Sequence, residues 1–175
     1  MAIVRTNYTK SKDAAKANIR YIQHRPGKDN GRTTRTLFGI DGAMGRHEAY
    51  RMIDEAQQGS AFFRFKISPD AKTEDTKRDL FLQQITEKTM NAVVEQTGTD
   101  VAWVATVHDD HSEYRHVHVL AIVAGKLSVQ DLQALRRAAT EEALSQRRMR
   151  DLAVEQQGKA KEQMKREEEV WERER

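Results

Sequence analysis

The chain has 175 residues, of which 38% are hydrophobic and 33% charged, with a formal net charge of +3 and no cysteine. The lack of cysteine excludes disulfides and thiolate metal sites, so histidine and carboxylate side chains are the available metal ligands. No apolar run approaches the roughly 20 residues of a membrane span, and the first residues lack the apolar stretch of a secretory signal. We expect a cytoplasmic protein without membrane insertion.

Positive charge is concentrated near the N-terminus. Residues 1–36 contain nine lysines and arginines against two aspartates, a local net charge of +7. A concentration of this kind indicates a polyanionic partner such as nucleic acid. From residue 150 onward, by contrast, apolar residues become rare and charges alternate in sign. This pattern predicts a solvated helix or an unstructured end outside the core.

The first half of the chain predicts short strands and helices with a basic loop between them. Ser11 is a typical helix N-cap, and apolar residues recur after it at helical spacing. Between residues 60 and 68, apolar and basic residues alternate as in a half-buried strand. The predicted elements are a strand at 2–6, a helix from 12 to the Pro26-Gly27 pair, a brief strand at 37–38, a helix at 46–58 and a strand at 60–68.

The second half predicts one long helix, two strands and a further helix. Residues 101–107 and 116–123 are apolar and rich in β-branched side chains, and the polar segment between them fits a hairpin connection. The second of these strands is apolar on both faces, which places it inside the sheet. The predicted elements are a helix at 73–96, strands at 101–107 and 116–123, and a helix capped by Ser128.

These elements predict an α+β fold in which helices cover a central antiparallel sheet. We assign residues 1–150 to this domain and residues 151–175 to a charged helical extension. The extension lacks a stop signal for its helix, so we expect it to link to a further C-terminal region.

Four of the six histidines fall between residues 108 and 118. In a strand, His116 and His118 share a face, with Cα atoms roughly 6.5 Å apart. If His108 lies opposite His116 across the hairpin, the three imidazoles converge on one point. Imidazoles on an apolar face carry a desolvation cost that binding of one cation relieves. We predict a metal site formed by His108, His116 and His118, with His111 as the rival third ligand.

Three neutral imidazoles leave coordination positions open, as in catalytic metal sites. Beside a basic surface the expected occupant is a phosphate oxygen, and the available nucleophiles are water, serine and tyrosine. Tyr21, which lies among basic residues, is our first candidate and Tyr8 the second. Asp110 or Asp109 is expected to accept the ring N–H of a ligand histidine and so fix its tautomer.

Several motifs carry a resemblance to a known family. The pattern His108-x-Asp110, five residues, then His116-Val-His118 resembles the three-histidine motif of HUH endonucleases, particularly of the mobilisation relaxases that nick plasmid DNA at an origin of transfer. Residues 18–25 (NIRYIQHR) resemble the segment with their nucleophilic tyrosine, and residues 66–69 (KISP) resemble the motif in which a serine lies near the DNA. The tyrosine precedes the histidines as in relaxases, whereas replication initiators and transposases usually have the opposite order.

The resemblance implies a metal-dependent transesterification. Tyr21, with Asp110 as a second catalytic residue, would attack one phosphodiester of single-stranded DNA, form a 5′-phosphotyrosyl link and release a 3′-hydroxyl. The cation would be Mn²⁺ or Mg²⁺, with Zn²⁺ as a further option. The residues expected to line the DNA groove are Ser68 and the basic residues Arg20, Arg25, Lys28, Arg32, Arg35, Arg64 and Lys66.

We further expect a monomer that acts in the bacterial cytoplasm, together with accessory and coupling proteins of a conjugation system. Two alternatives stay open. One is a replication initiator or transposase of the same fold. The other is a non-catalytic nucleic-acid-binding module whose histidines hold a structural ion.

Overall fold

A computed structural model describes residues 1–26, 31, 33–109 and 114–173. The elements in chain order are β1 (Ile3–Thr9), α1 (Lys12–His24), β2 (Leu37–Gly39), β3 (Gly42–Met44), α2 (Arg46–Asp54), β4 (Ala61–Ser68), α3 (Leu82–Thr97), β5 (Ala102–His108), β6 (His116–Val123) and α4 (Val129–Arg173). The strands form one six-stranded antiparallel sheet in the order β1-β4-β6-β5-β2-β3. The predicted α+β fold is confirmed.

Helices cover both faces of the sheet. On one face α3 and α4 pack over a core that includes Phe65 and Val119. On the other face α1 and α2 pack over a smaller core that includes Phe62 and Leu120. Since β6 lies between β4 and β5, it contributes alternate residues to both cores, which is why its sequence is apolar on both faces.

The first helix starts where the sequence predicts it. The hydroxyl oxygen of Ser11 accepts a hydrogen bond from the backbone N–H of Ala14 at 3.1 Å, which satisfies one of the unpaired donors at the helix N-terminus. The helix then presents one apolar stripe to the sheet. Its fully buried members are Ala15, Ile19 and Ile22. This packing holds α1 across the sheet face that carries the histidines.

The predicted helix at 73–96 is wrong at its start, because α3 begins only at Leu82 and residues 71–78 form turns. The carboxylate of Asp75 accepts a hydrogen bond from the backbone N–H of Leu80 at 3.1 Å. The same carboxylate pairs with the guanidinium of Arg115 at 3.2 Å. Side chain to backbone bonds of this kind compete with helix formation. The segment is therefore a set of turns tied to the start of β6.

Further differences from the prediction lie at β1, which extends to Thr9, at the end of α2 and at β3. The helix predicted at 46–58 ends at Asp54. The strand β3 was not predicted, although it forms a hairpin with β2 in which Gly39 lies opposite Gly42. Gly42 has a φ of 99°, a conformation that glycine adopts without strain. A strand of three residues beside a glycine carries too little alternation to be recognised.

Replacing Arg115 with methionine is expected to lower the free energy of unfolding by about 3 kcal/mol, because the buried carboxylate of Asp75 then lacks its counter-ion. Urea denaturation would measure the loss. The matched control is Lys77→Met, which removes the solvent-exposed pair between Lys77 and Asp151. That change should cost less than about 1 kcal/mol. Equal losses in the two variants would contradict the role given to burial.

The last helix, α4, contains 45 residues and continues well beyond the domain core. It packs against α3 and β1 near its start. Every residue from 151 to 172 is exposed. The charged extension is thus helical and continuous with the last helix of the domain. In the part of the chain that the structure describes, no helix combines the length and apolar character that crossing a membrane requires.

Candidate metal centre

Three histidines meet on the α1 side of the sheet, at one end of the β5–β6 hairpin. His108 lies directly opposite His116, and His118 follows two residues later on the same face. The ring centroids of His108 and His116 are 5.3 Å apart, those of His108 and His118 4.7 Å, and those of His116 and His118 5.0 Å. One nitrogen from each ring lies within 4.8 Å of the other two. His111 lies outside the described residues.

Main-chain carbonyls orient two of the three rings. Nε2 of His108 lies 2.8 Å from the carbonyl oxygen of Ile22 in α1. Nδ1 of His116 lies 3.0 Å from the carbonyl oxygen of Tyr114. Because a carbonyl only accepts, each of these nitrogens must donate, and the lone pair is then on Nδ1 of His108 and on Nε2 of His116. These two carbonyls accept the ring N–H groups, which is the role that the sequence leads us to expect of Asp109 or Asp110. Asp109 is exposed, and Asp110 lies outside the described residues.

The third ring provides the test of whether the site suits a cation. Nε2 of His118 is buried and has no hydrogen-bond partner among the described residues. Burial of a polar nitrogen in this way is costly unless it binds something. A cation shared with the two neighbouring imidazoles would remove that cost. The cluster therefore fits a metal ion. Among the described residues, these three histidines are the group whose ligand atoms lie close enough together to share one ion.

The charge state of the cluster also suits metal binding. Burial lowers the pKa of His118 to about 3, with smaller contributions from His108, His116, Lys66 and Arg25. The imidazole of His118 is consequently neutral near pH 7, and no proton has to leave before it can act as a ligand. Burial also lowers the pKa of Lys66, and the charges of Arg25 and Arg5 lower it further.

The C-terminal end of α1 lies against the cluster and carries Tyr21. The side chain of Tyr21 is 54% exposed, and the guanidinium carbon of Arg25 lies 5.8 Å from the centre of its ring. The next residue, Ile22, provides the carbonyl that orients His108. Arg35 is buried, and its Nη1 donates to the carbonyl of Arg25 at 2.7 Å. Arg35 thus braces the end of α1, in contrast to the place in the DNA groove expected from its basic surroundings in the sequence.

The structure separates the second tyrosine candidate from the histidines. Tyr8 lies opposite Phe63, and the two rings stack at 5.2 Å. Phe63 belongs to the core beneath α3 and α4, so Tyr8 projects from the opposite face of the sheet. Tyr50 packs against the smaller core on α2. Tyr114 is half exposed and close to His116, whose ring bonds its carbonyl.

Basic side chains continue the histidine-bearing face across β4 and β1. Lys66 lies directly opposite His118, and Arg5 lies opposite Lys66. Arg64 projects from the same face one row away. The hydroxyl of Ser68 is buried and donates to the carbonyl of Arg115 at 3.0 Å, so it anchors the start of β6.

Of the other predicted DNA contacts, Arg20 is exposed on α1 and Arg25 is partly exposed just beyond it, whereas Lys28 and Arg32 lie outside the described residues. Arg5 is an addition to the predicted set. Its place beside the site follows from the pairing of β1 with β4, which the amino-acid pattern does not reveal.

Two cavities on this side of the sheet differ in charge. One, of about 380 Å³, adjoins the cluster and is lined by Ser68 and Tyr114 among others, and its charged side chains are Arg5, Lys66, Lys72 and Asp70. A larger one, of about 700 Å³, lies at the far end of the sheet between α2 and the β2–β3 hairpin. The charged side chains of the larger cavity are Asp41, Glu48, Arg51, Glu55 and Asp100. Because acids predominate there, the smaller cavity is the better place for a phosphate despite its size.

No protein-family model, curated protein or solved structure matches this chain.

Proposed function

We propose that the chain is the nicking domain of an HUH-type mobilisation relaxase, which cuts and rejoins one strand of DNA at an origin of transfer. One observation carries the proposal: the carbonyl that orients His108 belongs to Ile22, the residue after the exposed Tyr21. A hydroxyl nucleophile and a three-imidazole cluster are thereby connected through one peptide, on a face that also presents Lys66 and Arg5.

The three histidines would hold the divalent cation. When bound, the cation would polarise the scissile phosphate and stabilise the charge that grows on it. Three imidazole nitrogens without a thiolate suit Zn²⁺ better than Mn²⁺ or Mg²⁺, both of which prefer oxygen ligands. Which of these metals the three histidines bind is part of the proposal.

The chemistry of this chain's own residues is an exchange of one phosphodiester for another. The hydroxyl oxygen of Tyr21 bonds to phosphorus as the bond from phosphorus to the 3′ oxygen breaks. The hydroxyl of Tyr21 loses its proton, and the departing 3′ oxygen gains one. The product is a 5′-phosphotyrosyl link and a free 3′-hydroxyl. Since the number of phosphoester bonds is conserved, attack by the 3′-hydroxyl on the phosphotyrosyl link can reverse the step and rejoin the strand.

Arg5, Arg20, Arg25, Arg64 and Lys66 provide the positive charge that would hold the strand. Single-stranded DNA fits such a surface because its flexible backbone can follow a basic groove. The remaining expectations, namely a bacterial conjugation system with accessory and coupling proteins and a cytoplasmic location, are part of the same proposal.

The test is an adduct assay on a denaturing gel, with a pool of random-sequence single-stranded oligonucleotides and Mn²⁺, Mg²⁺ or Zn²⁺. DNA labelled at the 3′ end should migrate with the protein, because the 5′-phosphotyrosyl link retains that portion. DNA labelled at the 5′ end should be released as a shorter product. A chelator should abolish both signals.

The alternatives give different results in this assay. A DNA-binding module with a structural ion would retard DNA under native conditions and form no adduct with any metal. A replication initiator or transposase would form the same adduct, so sequencing of the captured strands is needed to separate it from a relaxase. The captured strands should share one cleavage sequence, and for a relaxase that sequence should match one found at an origin of transfer.

Charge removal on the proposed DNA surface should lower the salt dependence of binding. Each of Arg5→Ala and Lys66→Ala is expected to reduce the slope of log K against log salt concentration by about 0.7, the value for one phosphate contact with a single strand. Fluorescence anisotropy with a labelled oligonucleotide measures the slope. Lys88→Ala is the matched control. Lys88 is exposed on α3, and α3 covers the face of the sheet opposite the histidines. An unchanged slope in both test variants would exclude this face as the DNA surface.

A further inference from the structure

Two of the three histidines lie where the pairing of β5 with β6 ends, because His108 is the last residue of β5 and His116 is the first of β6. The ends of paired strands open more readily than their centres. A functional site, by contrast, needs its side chains held to within about 0.5 Å of the productive geometry. The spacing of these two rings therefore depends on contacts outside the strand pairing. Residues 74–80, which we call the clamp segment, provide such contacts next to both histidines.

On the β6 side, the clamp segment holds the residue directly before His116. Nη1 of Arg115 donates to the two carboxylate oxygens of Asp75, at 3.2 and 3.4 Å, and to the carbonyl oxygen of Leu80 at 3.2 Å. The side chain of Asp75 is only 4% exposed. Hydrogen bonds between charged groups are stronger than those between neutral groups. Arg115 is therefore fixed in place at the start of β6.

On the β5 side, the same segment contacts the residue directly after His108. Nη2 of Arg78 donates to the carbonyl oxygen of Asp109 at 3.0 Å. The backbone N–H of Arg78 donates to the carbonyl oxygen of Asp75 at 3.0 Å, which closes a short turn. One turn thus bonds the chain on both sides of the hairpin, next to His108 through Arg78 and next to His116 through Asp75.

The backbone of Arg78 is held in an unfavourable conformation at this point. Among the residues that the structure describes, Arg78 is the one residue other than glycine with a positive φ, at 53°. A side chain with a Cβ atom is strained in this left-handed region, whereas glycine adopts it freely. Such strain persists where surrounding contacts hold it, and it is concentrated at functional sites. The bond from Arg78 to Asp109 is a contact that glycine could not make.

The clamp segment is fixed from its other side by α4. Nε of Arg147 donates to the carbonyl oxygen of Glu74 at 3.1 Å, and Nη2 of Arg147 pairs with the carboxylate of Asp79. Directly after the segment, the backbone N–H of Phe81 donates to the side-chain oxygen of Gln146 at 2.8 Å. Arg147 and Gln146 are both buried. The segment is consequently held between the last helix and the histidine hairpin.

We propose that Arg78 and Arg115 are positioning residues of the metal centre, which keep His108 and His116 at the separation at which both imidazoles reach one cation. Each acts on the chain next to a histidine and not on the cation itself. The inference rests on the cation binding that is part of the proposed function, and it does not depend on the nicking reaction. Arg115 also supports folding through its buried pair, so Arg78, which is exposed, is the better residue for a test.

Arg78→Gly separates positioning from folding, because glycine relieves the strained φ and at the same time removes the bond to Asp109. The full chain, freed of metal with a chelator, would be titrated with Co²⁺ alone, and the visible absorption of the bound ion would report occupancy. We expect Arg78→Gly to bind Co²⁺ about 10-fold more weakly than the native chain. Its midpoint in urea without metal should stay at or above the native value. Native affinity for Co²⁺ in this variant would overturn the proposal.

Lys77→Gly is the matched control, because Lys77 precedes Arg78 in the same turn and pairs with Asp151 instead of the hairpin. This variant should bind Co²⁺ like the native chain. Equal losses of affinity in Lys77→Gly and Arg78→Gly would show that general loosening of the segment is responsible, and would refute a specific role for Arg78. Arg78→Lys, which retains a long side chain with a donor, should recover part of the affinity that Arg78→Gly loses.

The same titration distinguishes failure of this inference from failure of the proposed function. A native chain that binds neither Co²⁺ nor, by calorimetry, Zn²⁺ would refute the metal centre and the positioning role together. A native chain that binds Co²⁺ with the same affinity as Arg78→Gly would refute the positioning role alone, and would leave the metal centre of the proposed function in place.

Discussion

Replacing Tyr21 with phenylalanine is expected to reduce the covalent protein–DNA product by at least about 10³-fold, since removal of a nucleophile eliminates the step itself. Binding of single-stranded DNA should remain nearly unchanged, because the exposed ring and the basic residues around it are retained. The adduct gel measures the first quantity, and fluorescence anisotropy measures the second.

The other tyrosines supply the controls for this result. Tyr8→Phe should leave the adduct unaffected, because Tyr8 stacks on Phe63 at the opposite face of the sheet. Tyr114→Phe is the stricter comparison, since Tyr114 is half exposed and lines the basic cavity beside the cluster. An adduct that survives in Tyr21→Phe and disappears in Tyr114→Phe would transfer the role of nucleophile to Tyr114.

The second large effect is expected when His116 and His118 are both replaced with alanine. Metal affinity should fall by more than about 100-fold, because loss of a single outer hydrogen-bond partner already costs 10–100-fold at such sites. In native protein, a metal concentration of 100 times Kd should raise the free energy of unfolding by about 2.7 kcal/mol. The double variant should lose that increment and the adduct together.

Calorimetric titration measures the affinity, and denaturation with and without chelator measures the increment. His47→Ala is the matched control, because His47 is exposed on α2 and lies outside the cluster. It should bind metal and form adduct like the native chain. A double variant that still gains stability from metal would show that the cation binds elsewhere.

The sheet and the histidine cluster could be predicted because both follow from a period of two. Alternation of apolar residues identifies each strand, and two histidines separated by Val117 must share a face. The pairing of His108 with His116 follows once the polar segment between them is interpreted as a hairpin connection. These are local patterns, and local patterns are what one sequence contains.

The residues that differ from the prediction depend on contacts between distant segments. Asp75 ends up in a turn because Arg115, 40 positions later, binds its carboxylate. Arg5 reaches the site because β1 pairs with β4. Arg35 is buried because its guanidinium donates to the carbonyl of Arg25, which follows the last residue of α1. None of these partners lies within one helical turn or one strand of the residue concerned, so no periodicity indicates them.

The carbonyls that bind His108 and His116 have a consequence for how the site can vary between related chains. Both belong to the main chain, at Ile22 and Tyr114, and every residue type provides a carbonyl. Substitution of either side chain therefore leaves the acceptor in place. At these positions the site requires only that the main chain follow the same course. The buried side chain of Ile22 keeps its carbonyl against the sheet, and many other apolar side chains could be buried there in the same way. Descendants of this sequence could thus change the residues around the ligands extensively while the imidazoles keep their tautomers.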